Sequence, residues 1–147
     1  ARVGGIYGPM YQTLNHPIAS QCYAAAKGTT AEYGRGTPFA GDRRGYCYVK
    51  DCAAAIQLLD AASTLSHRIY NTSGGVAGAL TNGEIADLIR KVVPDADIPL
   101  QNGASPNLVP DSYQDITWAK EDAGYVPQYD IEKGVAEYIA WLKTHDR

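Results

Sequence analysis

The chain has 147 residues, 45% hydrophobic and 20% charged, with a formal net charge of −3. That length suits one domain that buries about two-thirds of the surface its unfolded chain exposes. An acidic balance argues against nucleic acid or a membrane as partner, because a phosphate backbone or an anionic bilayer calls for a basic surface.

Residues 2–6 read as a short apolar strand that leaves its sheet at Tyr7-Gly8-Pro9, where glycine and proline force a turn. The chain begins at Ala1, already in that strand and without Met, so a piece of a longer protein is expected. Pro17 at a first-turn position predicts a helix over Ile18 to Lys27 that stops at Gly28. Thr29 to Tyr33 is a candidate strand, and Gly34 to Pro38 and Phe39 to Asp42 are turn material. None of these glycines falls in a phosphate-cradling pattern.

The stretch from Gly41 to Asp60 organises the chain. Arg43 and Arg44 precede a strand at Tyr46 to Val49, and Lys50-Asp51 leads into an Ala-rich helix, with Asp51 expected to cap it and Lys50 expected to be exposed. Arg68 to Thr72 alternates as a strand before a Ser73-Gly74-Gly75 turn. Thr81 to Glu84 is a capping box ahead of Ile85, Leu88, Ile89, Val92 and Val93, and Pro94 ends that helix. Asp97 to Gln101 reads as an edge strand because of Pro99. Thr117 is the expected N-cap of one further helix, and Asp130 that of the last, whose buried side holds Ile131, Val135, Tyr138, Ile139 and Leu142.

Cys22, Cys47 and Cys52 form no C-x-x-C pair and leave an odd count, which fits reduced thiols in a cytoplasm. No histidine stands near enough to complete a zinc set, so no metal is expected. His16, His67 and His145 stand apart from one another and are assigned no chemistry. No apolar run approaches the roughly 20 residues of a membrane span, and no leader pattern is visible.

A series of blocks, in order, carries a resemblance. Arg2, Tyr7, Gly8 and Pro9 match R-x-x-x-x-Y-G-P, and Arg44, Tyr46, Tyr48, Val49 and Asp51 match R-x-Y-x-[YH]-V-x-D. Tyr70-Asn71 with its glycine turn, Asp115-x-Thr117 with Lys120, and Gly124-Tyr125-Val126-Pro127 follow, and the closing helix carries Gly134 and Trp141. Together they resemble the C-terminal, substrate-binding part of the extended short-chain dehydrogenases/reductases, the NAD-dependent epimerase/dehydratase family. The resemblance implies an α/β fold: the last strands of a Rossmann-type sheet plus a small mixed α/β substrate-binding subdomain. Residues 1–147 would form one substrate-binding domain, with the Gly-rich nucleotide-binding half absent.

It further implies a sugar or nucleotide-sugar epimerase, dehydratase or dehydrogenase, inactive as this piece alone. NAD or NADP would be held mainly by the missing half, which would also bring the Ser/Thr and the Tyr/Lys pair. A free-standing sugar or sugar-acid binding module is the alternative. Arg44 is the expected anion-binding residue. Tyr33 would lie along the nucleotide base, Tyr7 would line the sugar pocket or cover the core, and the backbone of Val3, Gly4 and Gly5 would touch the nicotinamide. Tyr23 and Lys27 form a Y-x-x-x-K, yet in the family the catalytic pair precedes the strand that here begins the chain, so no residue is assigned catalysis. Gly5 stands where many members carry a substrate-binding asparagine, and a gapless count puts Ser105 at the second phosphate-binding arginine. Both departures leave room for a free sugar acid such as a uronate. An open apolar face toward the missing half predicts homo-oligomers.

Overall fold

The apolar opening run forms two strands rather than one. In the computed structural model, which describes residues 1–11, 13–106 and 113–145, β1 (Arg2–Val3) pairs in parallel with β4 (Asn71–Thr72). The next strand, β2 (Gly5–Tyr7), pairs in parallel with β3 (Arg43–Tyr48). Gly4 is the crossing point between the two sheets. A Cβ there would lie 2.9 Å from Ser73 Cβ, so only glycine lets the chain pass this close to the turn after β4. On its other side β3 pairs antiparallel with β5 (Ala79–Thr81), a strand too short for its alternation to show in the sequence.

The helices follow their local signals. In α1 (Pro17–Lys27) proline opens the first turn and Gly28, at φ 66°, closes the helix in the left-handed conformation. In α3 (Asn82–Val92) the capping box is complete: Thr81 Oγ1 accepts the Glu84 N–H at 3.1 Å, and Glu84 Oε2 accepts the Thr81 N–H at 2.7 Å. In α5 (Ile131–Thr144) the Asp130 carboxylate accepts the Lys133 N–H at 2.8 Å, and the expected residues are buried.

Two caps differ from expectation. Tyr48 is the N-cap of α2 (Val49–Ala61) and caps with no side chain. The buried Asp51 instead reaches across to the loop before α5, accepting the Gln128 N–H at 2.9 Å and the Tyr129 N–H at 3.0 Å. For α4 (Thr117–Ala123) Thr117 is the first helical residue, and Asp115 Oδ1 accepts both its N–H and its hydroxyl. Two expected strands are absent from the described residues. Thr29 to Tyr33 and Asp97 to Gln101 run as extended loops, tied by Ala31 N–H to Asp97 C=O and by a bridge between Phe39 and Gln101. Residues 107–112, within the Ser105 to Thr117 segment, lie outside the described residues.

The main core sits where α1, α3 and α5 pack together over β2 and β3. It is rich in tyrosine: Tyr7 meets Tyr48 and Tyr46 edge-on, at ring separations of 5.3 and 6.1 Å. Each large side chain buried this way contributes about 1.5–3 kcal/mol. Gly134 of α5 faces Tyr7, and a Cβ at that position would collide with the phenol. A smaller core of Ala55, Tyr70, Ala119 and Tyr125 joins α2 to α4. No helix among the described residues is long and apolar enough to cross a membrane.

Candidate functional site

Period-two alternation puts Arg44, Tyr46 and Tyr48 on one face of β3. The two tyrosines are buried, and Arg44, toward the start of the strand, is exposed. Its side chain borders a cavity of about 300 Å³. Leu14 and Pro17 at the entry to α1 form one wall, and Tyr33, Arg35 and Gln101 belong to the others. The loop from Tyr33 to Asp42 is held in place by backbone bonds. Gly36 N–H donates to Tyr33 C=O at 3.1 Å, Gln101 N–H donates to Pro38 C=O at 2.9 Å, and Ala40 N–H donates to Gln101 C=O at 2.8 Å. Sequence reasoning had singled out Arg44 and Tyr33 separately, and the fold brings them to the same cavity.

The charges here are predominantly positive. Burial, then the charges of Arg44 and Arg35, lower the His16 pKa from its ordinary value, so both guanidinium groups bear on the imidazole. Neither arginine is ion-paired with a carboxylate among the described residues. Asp42 also borders the cavity, with Oδ1 accepting the Ser105 N–H at 2.7 Å. The preceding arginine behaves differently: Arg43 donates to Ala79 C=O at 2.7 Å and lies 3.6 Å from Glu84, which ties β3 to β5 and α3. The Tyr33 hydroxyl is closed off from solvent near Gln21, and burial raises its pKa.

The remaining expected site residues lie elsewhere. Tyr7 is 1% exposed and belongs to the main core; it does not border the cavity, and burial raises its pKa far above the usual phenol range. Val3, Gly4 and Gly5 form the β1–β2 crossing. The small size of Gly4 and Gly5 is accounted for by packing against Ser73 and against the Tyr46 ring, which a Cβ on Gly5 would approach to 3.2 Å. Lys27 Nζ donates to His145 C=O at 3.1 Å, so its ammonium ties α1 to the end of α5. His67 stacks on Trp118 and His145 on Trp141. Burial pushes the Cys47 thiol up to about 12, and all three cysteines are buried and free.

Arg35 and Gln101 were not legible as site residues. Gly34-Arg35-Gly36 announces a turn, but nothing local shows that the turn folds toward Arg44. A second cavity, of about 330 Å³, is bordered by Gly75, Ile116, Lys120, Tyr125, Val126 and Pro127, and so joins three of the resemblance blocks. No group of three or more potential metal ligands occurs among the described residues.

Two strand-to-helix junctions can be tested against the needs of a dinucleotide pyrophosphate, which takes glycines and free N–H groups at the helix start. Neither fits. The β3–α2 junction has no glycine and places the Asp51 carboxylate in the first turn, and at the β5–α3 junction the N–H groups are already taken, Asn82 by Asp42 C=O, Gly83 by Ala40 C=O and Glu84 by the Thr81 hydroxyl.

No protein-family model and no curated protein matches the sequence. Solved structures do match. One is a dTDP-glucose 4,6-dehydratase from Bacillus anthracis in complex with NAD, at 22% identity and a TM-score of 0.71, covering 95% of this chain and 42% of that one. Another is a UDP-glucuronic acid 4-epimerase from Bacillus cereus with UDP-glucuronic acid and NAD, at 16% identity and a TM-score of 0.76, covering 97% and 44%. A third is a UDP-glucose 4-epimerase from Thermotoga maritima with UDP-glucose, at 21% identity and a TM-score of 0.71, covering 95% and 44%. The chain thus spans less than half the length of the structures it matches. Its fold is that of one portion of these epimerases and dehydratases, a partial Rossmann-type α/β architecture.

Proposed function

We propose that this chain is the substrate-holding part of an NAD(P)-dependent sugar-nucleotide epimerase or dehydratase and is inactive alone. The observation that carries this reading is the convergence of Arg44 and Tyr33 on one cavity of about 300 Å³, within a fold shared with enzymes of that kind. Arg44 would pair with phosphate oxygens through its planar fork of donors, and the Tyr33 ring would lie against the nucleotide base. Among the described residues, the β3–α2 and β5–α3 junctions do not offer a pyrophosphate cradle. The dinucleotide, which supplies the hydride chemistry when bound, is therefore assigned to another part of the protein. The peptide groups of Val3, Gly4 and Gly5 are the proposed point of approach to its nicotinamide.

The test is a thermal-shift series with UDP-glucose, UDP-glucuronic acid, dTDP-glucose and free glucuronate. Ligand that binds only the folded form raises apparent stability by mass action. A nucleotide sugar is expected to raise Tm in the wild-type chain and not in Arg44→Ala, which should remain folded because Arg44 is exposed. A response to free glucuronate but not to the nucleotide sugars would favour a sugar-acid module. No response to any of the four would overturn both readings.

A further inference from the structure

We infer that Arg35 is the second cation of the anion site, supplying the charge that the sequence lacks at Ser105. The inference rests on the proposed reading of the cavity and adds a residue that neither composition nor motif singled out. A diphosphate carries about three negative charges near neutral pH, and a chain of net charge −3 repels it unless cations converge locally.

Two do converge. Arg35 and Arg44 border the same cavity, both lower the pKa of the same imidazole, and neither is neutralised by a carboxylate among the described residues. They reach it from different elements, Arg44 from β3 and Arg35 from the turn that Gly36 closes onto Tyr33 at φ 84°. Two guanidinium groups on separate walls can each take one phosphoryl group. A single one would serve a monophosphate nearly as well as a diphosphate.

Ser105 does not do this work. Its backbone N–H is bonded to Asp42, and it brings no cation. That same bond occupies one oxygen of the only carboxylate among the cavity's described residues, which lowers its repulsion toward an anion. The ligand class is therefore a nucleoside diphosphate or its sugar ester, with Arg35 setting the preference for two phosphates over one.

Isothermal titration of UDP and of UMP into the 147-residue chain, Arg35→Ala and Arg44→Ala tests this. Circular dichroism is used to confirm that each variant is folded, as expected for exposed side chains. Wild-type protein is expected to prefer UDP. Arg35→Ala should lose UDP affinity by about tenfold or more, the worth of one charge-assisted hydrogen bond, with UMP affinity nearly unchanged, so that the preference collapses. If Arg35→Ala keeps wild-type affinity for UDP while Arg44→Ala loses it, the role of Arg35 is refuted and the cavity reading stands. If the wild-type chain binds neither nucleotide, both fall.

Discussion

Arg44 shows how much of a site one side chain can announce. Its match to R-x-Y-x-[YH]-V-x-D made it a candidate, and the fold leaves its guanidinium exposed at a cavity rather than driven into the core. Tyr7 sat in an equally suggestive motif, yet it is packed against Tyr46, Tyr48 and Gly134. The difference is non-local. Only the arrival of α5, some 130 residues later, decides that Tyr7 is covered, and no pattern around Tyr7 records it. The same contact yields a prediction. Gly134→Ala adds one methyl group where Tyr7 leaves no room, and overpacking of this kind costs about 1–3 kcal/mol. Urea unfolding should show a lowered midpoint at unchanged slope. A midpoint equal to wild type would mean that α5 does not press on Tyr7 as described.

Among the elements, the helices were legible and the strands only in part. Pro17 with Gly28, the Thr81–Glu84 box and Asp130 act within one turn of chain, so their meaning survives without the rest of the fold. The split of the opening run into β1 and β2, and the existence of β5, depend on partners roughly 35 to 70 residues away. Asp51 belongs with these: its spacing suggests a cap, but the loop before α5 offers two N–H groups that compete successfully.

A neighbouring cluster fixes α5 to the same junction. Glu137 accepts hydrogen bonds from Tyr48 and Tyr129 at 2.8 and 3.0 Å and meets Lys50 at 2.6 Å. The Lys50 bond above all, then those from Tyr48 and Tyr129, lowers the Glu137 pKa below its ordinary 4.5. A depressed carboxylate contributes stability that is present above that ordinary value and is lost as pH falls through the lower folded value. Denaturant midpoints should therefore fall on acidification below about pH 4.5, and Glu137→Gln should flatten part of that fall. Glu84, Asp115 and Asp122 are shifted the same way and contribute to the same fall. Identical acid profiles for wild type and Glu137→Gln would remove this cluster from the account.

At the scale of the whole molecule, the surface carries apolar side chains without cover among the described residues. Ile56 is 51% exposed on α2, Leu58 is exposed beside it, and Leu65 and Ile69 follow in the connection to β4. Among the described residues β1 pairs with a strand on one side only. An unpaired parallel edge and exposed aliphatic groups each favour association. Light scattering on the purified chain is expected to give dimers or larger species, and a strictly monomeric chain at high concentration would count against it. The order of the blocks made the global architecture readable before any contact was known, whereas the proposed anion site depends on two loops folded against each other through Gln101.

The central claim is that the cavity between α1, the Tyr33–Asp42 loop and β3 receives the nucleotide end of a sugar nucleotide. Photolabelling with 5-azido-UDP-glucose, followed by peptide mapping, tests it most directly. The account predicts label in the segment from Tyr33 to Arg44, competed away by unlabelled UDP-glucose and lost in Arg44→Ala. Competable label confined to the second cavity, around Ile116 to Pro127, would contradict it.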